Sequence, residues 1–215
     1  MNQNSEKSEY FTGDSSNRSL NEELRRELKH CYLAGKRLLA AAYLKLLQKK
    51  VDFSAPPLFS GKLLPEFNIH QQARCILGKE CEFLNNRIKT VLDVRCPGAH
   101  LEIGDYSFIN EGVRIWASTQ VVIGSYAKIG DRVTIYDTDL HEITPNEWRY
   151  ASVHIGSNVW IGTGAVILPG VKIGNHSVVG AGSIVTKEIP ERCIAAGVPA
   201  RIIRAFECPN DWVRR

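Results

Sequence analysis

The chain is predicted to be mainly β, a parallel β-helix built from hexapeptide repeats, with an N-terminal α-helical segment. Two observations carry the β-helix. Aliphatic residues stand at Ile103, Ile109 and Ile115, resume after a two-residue slip at Ile123, Ile129 and Ile135, and return after a longer break at Ile155, Ile161, Ile167, Ile173, Val179 and Val185. In the last series a second position, four residues on, reads Val159, Ala165, Val171, Ser177, Ser183 and Ile189. A period of six fits neither the 3.6 of a helix nor the 2 of one long strand, but it fits short strands joined by tight corners. The leading aliphatic residue then points into the coil, the residue four later sits at a corner, and successive coils pair in parallel. A sandwich of evenly spaced strands is the competing fold, and six successive hexads in register weigh against it.

The third observation precedes the repeats. Residues 1–19 are polar and aperiodic and are expected to form a disordered tail. Within 20–62, Leu24, Leu28, Cys31, Leu38, Leu39, Ala42 and Leu46 recur at helical spacing among charged residues, predicting an amphipathic helix to about residue 48. The segment VDFSAPPLFSG that follows reads as a linker because of its two prolines and glycine. The β-helix domain is assigned to 63–204, its first coils irregular, and 205–215 to a C-terminal tail.

Composition narrows the class. The 215 residues are 44% hydrophobic and 23% charged, as in ordinary globular proteins. A net charge of +4, with no basic stripe interleaved with aromatics, gives no support to nucleic-acid binding. No apolar run reaches the roughly 20 residues of a transmembrane span and the first residues lack a signal-peptide core, so a cytoplasmic location is expected. The six cysteines show neither CxxC pairs nor zinc spacing and read as free thiols.

Between Ile135 and Ile155 the repeat breaks for DTDLHEITPNEWRYASVH, an aperiodic segment that predicts a loop over 137–152 rising from one edge of the coil, and insertions in repeat proteins often carry function. Downstream, the stretch IGSNVWIGTGAVILPGVKIGNHSVVGAGSIVTKEIP followed by AAGVPARIIR resembles the hexapeptide-repeat acyltransferases of the left-handed parallel β-helix type. The galactoside and maltose O-acetyltransferases, and their relatives acting on surface polysaccharides, are the nearest in kind. The similarity spans about residues 103–204, including YSFINEGVRI and IGDRVTIYDTDLHEITP; the first 90 or so residues depart from it, which leaves the acceptor open. The resemblance implies acetyl-CoA as cosubstrate, a saccharide acceptor, and a homotrimer with sites between neighbouring β-helices.

Moving an acetyl group from a thioester to a hydroxyl requires the hydroxyl proton to leave as oxygen attacks. Imidazole, with an ordinary pKa of about 6.5, takes and returns that proton. His141, in the loop, is the candidate general base, and the resemblance implies the same. Asp139, two residues away, is a candidate to contact acceptor hydroxyls or to orient the ring, as is Glu142 or a backbone carbonyl. The resemblance also implies an acceptor-binding role for Asn110, whose residue type equally suits a turn. Gly162 and Thr163 are implied as main chain close to the thioester, with Trp160 beside the pantetheine or acceptor. Ala181 is implied as a pantetheine contact. Thr186, Lys187, Arg201 and Arg204 are implied at the phosphorylated end of coenzyme A, a role that suits the cations. No cysteine pairs with a base as covalent catalysis would need, so direct transfer is expected.

Three other readings stay open. One is acetylation of an antibiotic or other xenobiotic hydroxyl. Another is a metalloprotein like the γ-type carbonic anhydrases, for which His141, His154 and His176 are the candidate ligands, although their spacing does not match; no metal is expected. The last is an inactive scaffold on the same fold.

Overall fold

The computed structural model of the chain describes residues 42–145 and 147–214. The predicted tail and most of the predicted helix lie outside these residues; of the helix, 42–47 are described and are helical. Strands begin earlier than the assigned boundary at residue 63. The first coil is β1 (Asp52–Phe53), β2 (Leu58–Gly61) and β3 (Glu66–Ile69), and the second is β4 (Arg74–Leu77), β5 (Glu82–Asn85) and β6 (Val91–Val94). The third and fourth are β7 (His100–Ile103), β8 (Phe108–Ile109), β9 (Arg114–Trp116) and β10 (Gln120–Ile123), β11 (Lys128–Ile129), β12 (Thr134–Tyr136). The fifth and sixth are β13 (Val153–Ile155), β14 (Trp160–Ile161), β15 (Val166–Ile167) and β16 (Lys172–Ile173), β17 (Val178–Val179), β18 (Ile184–Val185). The chain closes with β19 (Cys193–Gly197) and β20 (Ala200–Ala205).

Every third strand pairs in parallel, giving three sheets: A (β1-β4-β7-β10-β13-β16), B (β2-β5-β8-β11-β14-β17-β19-β20) and C (β18-β15-β12-β9-β6-β3). Only the β19–β20 hairpin among these pairings is antiparallel. The "linker" at 51–62 is therefore the start of the first coil. Its prolines precede β2, whose pairing with β5 supplies the ladder that the local sequence conceals.

The hexad leaders meet in register. Ile123 pairs with Ile103 and Ile155 in sheet A, Ile129 with Ile109 and Ile161 in sheet B, and Ile135 with Ile115 and Ile167 in sheet C. All of these side chains are at most 2% exposed, so the core is three stacked aliphatic columns inside the coil. Each buried side chain of this kind contributes about 1.5–3 kcal/mol relative to exposure. The second repeat position is buried throughout, from Val159 to Ile189.

The three edges between sheets differ. Along the AB edge the turns after β4, β7, β10, β13 and β16 repeat one plan: Gly104, for example, lies so close to the next coil that a Cβ there would sit 2.5 Å from the Ser125 nitrogen. Two residues on, Glu80, Tyr106, Tyr126, Asn158, His176 and Arg192 all take positive φ, between 52° and 63°. Such a conformation costs a non-glycine residue about 1 kcal/mol or more. Coil-to-coil hydrogen bonds hold it, as from Tyr126 N–H to Asp105 O and from His176 N–H to Ser157 O. The CA edge instead absorbs the extra residues, both the slip between Ile115 and Ile123 and the excursion between Ile135 and Ile155.

Residues 205–214, assigned to a tail, are packed against the AB edge. The Asn158 side chain donates to Trp212 O (2.7 Å) and accepts from Arg214 N–H (2.8 Å), and Trp212 stacks on His176. Among the described residues, no helix is long and apolar enough to cross a membrane.

Candidate active site

The loop leaves sheet C after β12 and returns to sheet A at β13. Its neck is closed by pairing of Thr138 with Tyr150 and by the Ala151 N–H to Asp137 O bond (2.8 Å). Its tip turns at Thr144–Glu147, where Glu147 N–H donates to Thr144 O (2.9 Å). His141 lies on the outgoing arm and its side chain is exposed. The loop is also apolar: Ile143 on the outgoing arm is 55% exposed, and Trp148 and Tyr150 on the returning arm are 49% and 52% exposed.

The acidic neighbours of His141 fall into separate roles. Glu142 accepts from Trp148 Nε1 at 3.0 Å, which ties the two arms together. Asp139 is half-buried, and its Oδ2 is a buried oxygen with no hydrogen-bond partner. A buried acceptor left unpaired costs about 1–3 kcal/mol. Asp137, which the sequence reading passed over, is fully buried. Its carboxylate accepts from the N–H groups of Ser118, Thr119 and Gln120 and from the Thr119 hydroxyl. The alternation Ile135 in, Tyr136 out, Asp137 in was the available signal, since it puts a carboxylate on an inward position. The return arm is fixed to the next coil by Arg149, whose guanidinium donates to Pro169 O at 2.7 Å.

Of the other candidates, Thr186 and Lys187 share this CA edge in the last coil, and the rest lie elsewhere. Asn110, Gly162, Thr163 and Ala181 all follow sheet B strands and stack along the BC edge, joined by Gly130 N–H to Ile161 O and Gly182 N–H to Thr163 O. Asn110 Oδ1 accepts from Glu111 N–H (2.8 Å), the local role expected of a corner asparagine. Gly162 is buried against Ala181, whereas at Gly164 and Gly182 a Cβ would meet nothing within 4 Å. Thr163, Gly164, Ala181 and Gly182 thus form a bare, shallow strip of exposed main chain. Trp160, on the outer face of sheet B, is 47% exposed.

Thr186 and exposed Lys187 follow β18 in the last coil, and exposed Arg201 and Arg204 lie on β20. Within one chain, then, the structure brings together the BC strip and separates it from His141, which belongs to the CA edge.

Two buried thiols are poor nucleophiles. Burial, with a contribution from Asp52, pushes Cys75 up to about 12, and burial pushes Cys81 up to about 11. The three histidines offered as metal ligands are apart, on the CA loop (His141), the outer side of sheet A (His154) and the AB corner (His176). Among the described residues no three His, Cys, Asp or Glu side chains gather as a metal-ligand set.

Stacked hexads with an excursion at one edge define the hexapeptide-repeat architecture, a left-handed parallel β-helix, and residues 152–187 match the family described as bacterial transferase hexapeptide (six repeats). More particularly, the chain is 45% identical over 111 residues to the galactoside O-acetyltransferase of Escherichia coli (strain K12), covering 50% of this chain and 55% of that enzyme. It is 37% identical over 112 residues to the galactoside O-acetyltransferase of Lactococcus lactis subsp. lactis (strain IL1403), covering 50% and 54%. The chain spans about half the length of these curated relatives. The fold is shared with AntD, an N-acyltransferase from Bacillus cereus solved in complex with dTDP and 3-hydroxybutyryl-CoA (TM-score 0.61, 22% identity, 76% of this chain and 87% of that one). The resemblance to sugar O-acetyltransferases read from the sequence holds in these relatives.

Proposed function

We propose that the protein is an acyl-CoA-dependent O-acyltransferase that moves an acetyl group from acetyl-CoA to a hydroxyl of a saccharide. The observation that carries this reading is His141, an exposed imidazole on an anchored arm at the edge that carries the long excursion between Ile135 and Ile155. Neutral imidazole takes the acceptor hydroxyl proton as that oxygen bonds to the thioester carbonyl carbon. The C–S bond then breaks, and the imidazolium returns the proton to the departing thiolate. No acyl-enzyme is needed, and the buried, protonated Cys75 and Cys81 give none a nucleophile.

The bare strip at Thr163, Gly164, Ala181 and Gly182 fits a narrow, extended group such as pantetheine, because nothing projects over it. Gly164 and Gly182 N–H are taken by Asp131 O and Thr163 O, and the N–H groups of Thr163 and Ala181 are assigned as stabilisers for charge on the thioester oxygen. Lys187 and Arg201 serve the phosphates, with Thr186 and Arg204 beside them. Asn110 and Trp160 are assigned to the acceptor. Asp139, holding an unpartnered oxygen close to His141 in sequence, is assigned to orient the ring or bind an acceptor hydroxyl.

Because the base and the strip lie on different edges of one chain, the reading includes a homotrimer in which the CA edge of one copy faces the BC edge of the next. The exposed Ile143, Trp148 and Tyr150 of the loop favour such a cover, since large apolar patches mark interaction surfaces. A cytoplasmic location, where acyl-CoA thioesters are made, goes with it.

The test is transfer from acetyl-CoA across sugars, nucleotide sugars and hydroxylated antibiotics, followed by mass spectrometry of the acceptor. A saccharide product formed by the wild type and reduced about 10²–10⁴-fold by His141→Ala is expected. Full activity in that variant would remove the proposed base.

A further inference from the structure

We infer that Asp137 is a positioning residue for the reaction proposed above, a carboxylate that clamps the neck of the loop to the coil beneath and so fixes where His141 is presented. The inference rests on that reading of His141. It comes from three features that the sequence gives separately: the slip of the repeat after Ile115, the end of the repeat at Ile135, and the histidine six residues later.

The slip lengthens the corner between β9 and β10, and the added chain turns the N–H groups of three successive residues toward one point. Ser118 donates to both carboxylate oxygens of Asp137 (2.8 and 3.0 Å), and Thr119 (2.6 Å) and Gln120 (2.8 Å) donate to Oδ2. The Thr119 hydroxyl adds a fourth donor group at 2.9 Å. Successive N–H groups converging in this way make an anion nest. Here the anion is supplied from within the chain by a fully buried side chain, and hydrogen bonds to a charged acceptor are the strong ones.

The same residue holds the opposite leg of the loop. Its carbonyl accepts from Ala151 N–H (2.8 Å), and Ala151 O in turn accepts from Gly170 N–H (2.8 Å) in the next coil. Asp137 therefore joins the coil below, the outgoing arm and the returning arm at one point. Thr138 pairs with Tyr150 immediately above, so the arm that carries His141 leaves from a fixed base. The tip above the neck is secured by its own contacts, Trp148 to Glu142 and Thr144 to Glu147. Asp137 links this hairpin to the wall beneath it, and Arg149 together with Ala151 O links it to the wall above.

A group that works through the arm affects the chemical step more than donor binding. Within one chain the proposed donor strip lies on the BC edge, and none of the hydrogen bonds of Asp137 runs to it.

The experiment compares wild type with Asp137→Asn, which keeps the size and replaces one acceptor by a donor, and with the milder Thr119→Val, which removes the side-chain bond alone and keeps the test open if Asp137→Asn fails to fold. Amide exchange is read at 118–120 and across 138–151. In parallel, kcat and the KM for acetyl-CoA are measured, per folded molecule. Asp137→Asn is expected to speed exchange at 118–120 and through the loop, with the wall strands still protected. It should lower kcat by about ten- to a hundredfold with the KM for acetyl-CoA unchanged, because small misplacements of a catalytic group have effects of that size. Thr119→Val should move both in the same direction by less. Unchanged loop exchange in Asp137→Asn, or a loosened loop with full kcat, overturns the inference. If the wild type acetylates nothing, the proposed function fails by itself, and the exchange data alone then decide whether Asp137 clamps the loop.

Discussion

The AB and CA edges are built from the same repeat and behave in opposite ways. On the AB edge each turn has the same length, six corner residues accept positive φ, and the C-terminal residues strap the upper coils through Asn158 and His176. On the CA edge the length varies from coil to coil, with a small slip between Ile115 and Ile123 and the whole loop between Ile135 and Ile155. The difference teaches where a β-helix can take on new chemistry. An edge whose backbone stacks directly, with Gly104 within 2.5 Å of the next coil once a Cβ is added, has no room for insertions. An edge already braced by a side chain, as Asp137 braces the CA corner, can carry a long one.

The largest effect expected from breaking this contrast is an insertion. Two glycines placed between Ser125 and Tyr126 on the AB edge would shift a hexad out of register and bury polar groups, and no soluble folded protein should result on expression. The same two residues placed in the loop tip after Thr144 should leave the thermal midpoint nearly unchanged.

Next in size is the core that both edges share. Ile129→Ala, at a side chain 1% exposed, should cost about 2–5 kcal/mol in chemical denaturation. His141→Ala, on the exposed arm, should stay within about 0.5 kcal/mol of wild type in the same measurement.

The buried thiols predict a pH dependence. Cys75 and Cys81 ionise in the folded chain only at about 12 and about 11, against an ordinary value of 9.0. Below that ordinary value both states keep the proton and no stability is at stake. As pH rises from 9 toward 11–12 the unfolded chain loses protons that the folded chain retains, so stability falls. Denaturation midpoints should decline across that window and less so in Cys75→Ser, and alkylation at pH 8 should leave both thiols unmodified.

The smallest effects belong to the exposed cations. Lys187→Ala and Arg201→Ala should each raise the KM for acetyl-CoA by about three- to tenfold, the scale of one solvent-exposed charged contact, with kcat nearly constant in steady-state assays.

The period of six made the upper coils legible, since Ile103 to Val185 could be read straight into three stacked columns. The first two coils were not legible because their corners are longer than the repeat allows, so that Phe83 and Leu92, which align with the hexad leaders, and Ile103 are not spaced by six; only pairing across coils shows Leu58–Gly61 to be a strand. The C-terminal residues read as a tail because their anchors, Asn158 and His176, are far away in sequence.

At the candidate site, an interrupted repeat pointed to His141, and that edge is where the structure has its long loop. What spacing alone could not supply was the partition of the acidic residues. Glu142 is taken by Trp148, Asp137 by the 118–120 corner, and Asp139 retains an unpartnered oxygen. Nor could it supply the separation of the His141 edge from the strip at Thr163 and Ala181, which depends on how sheets B and C meet.

That separation gives the most direct test of the account, which holds that the base of one copy serves the donor strip of another. His141→Ala removes the base, and Ala181→Trp fills the strip. Each variant alone should be inactive in acetyl transfer, and the two co-expressed, with mixed oligomers verified by native mass spectrometry, should regain a readily measured share of wild-type activity. Mixed oligomers that remain as inactive as their parents would contradict it.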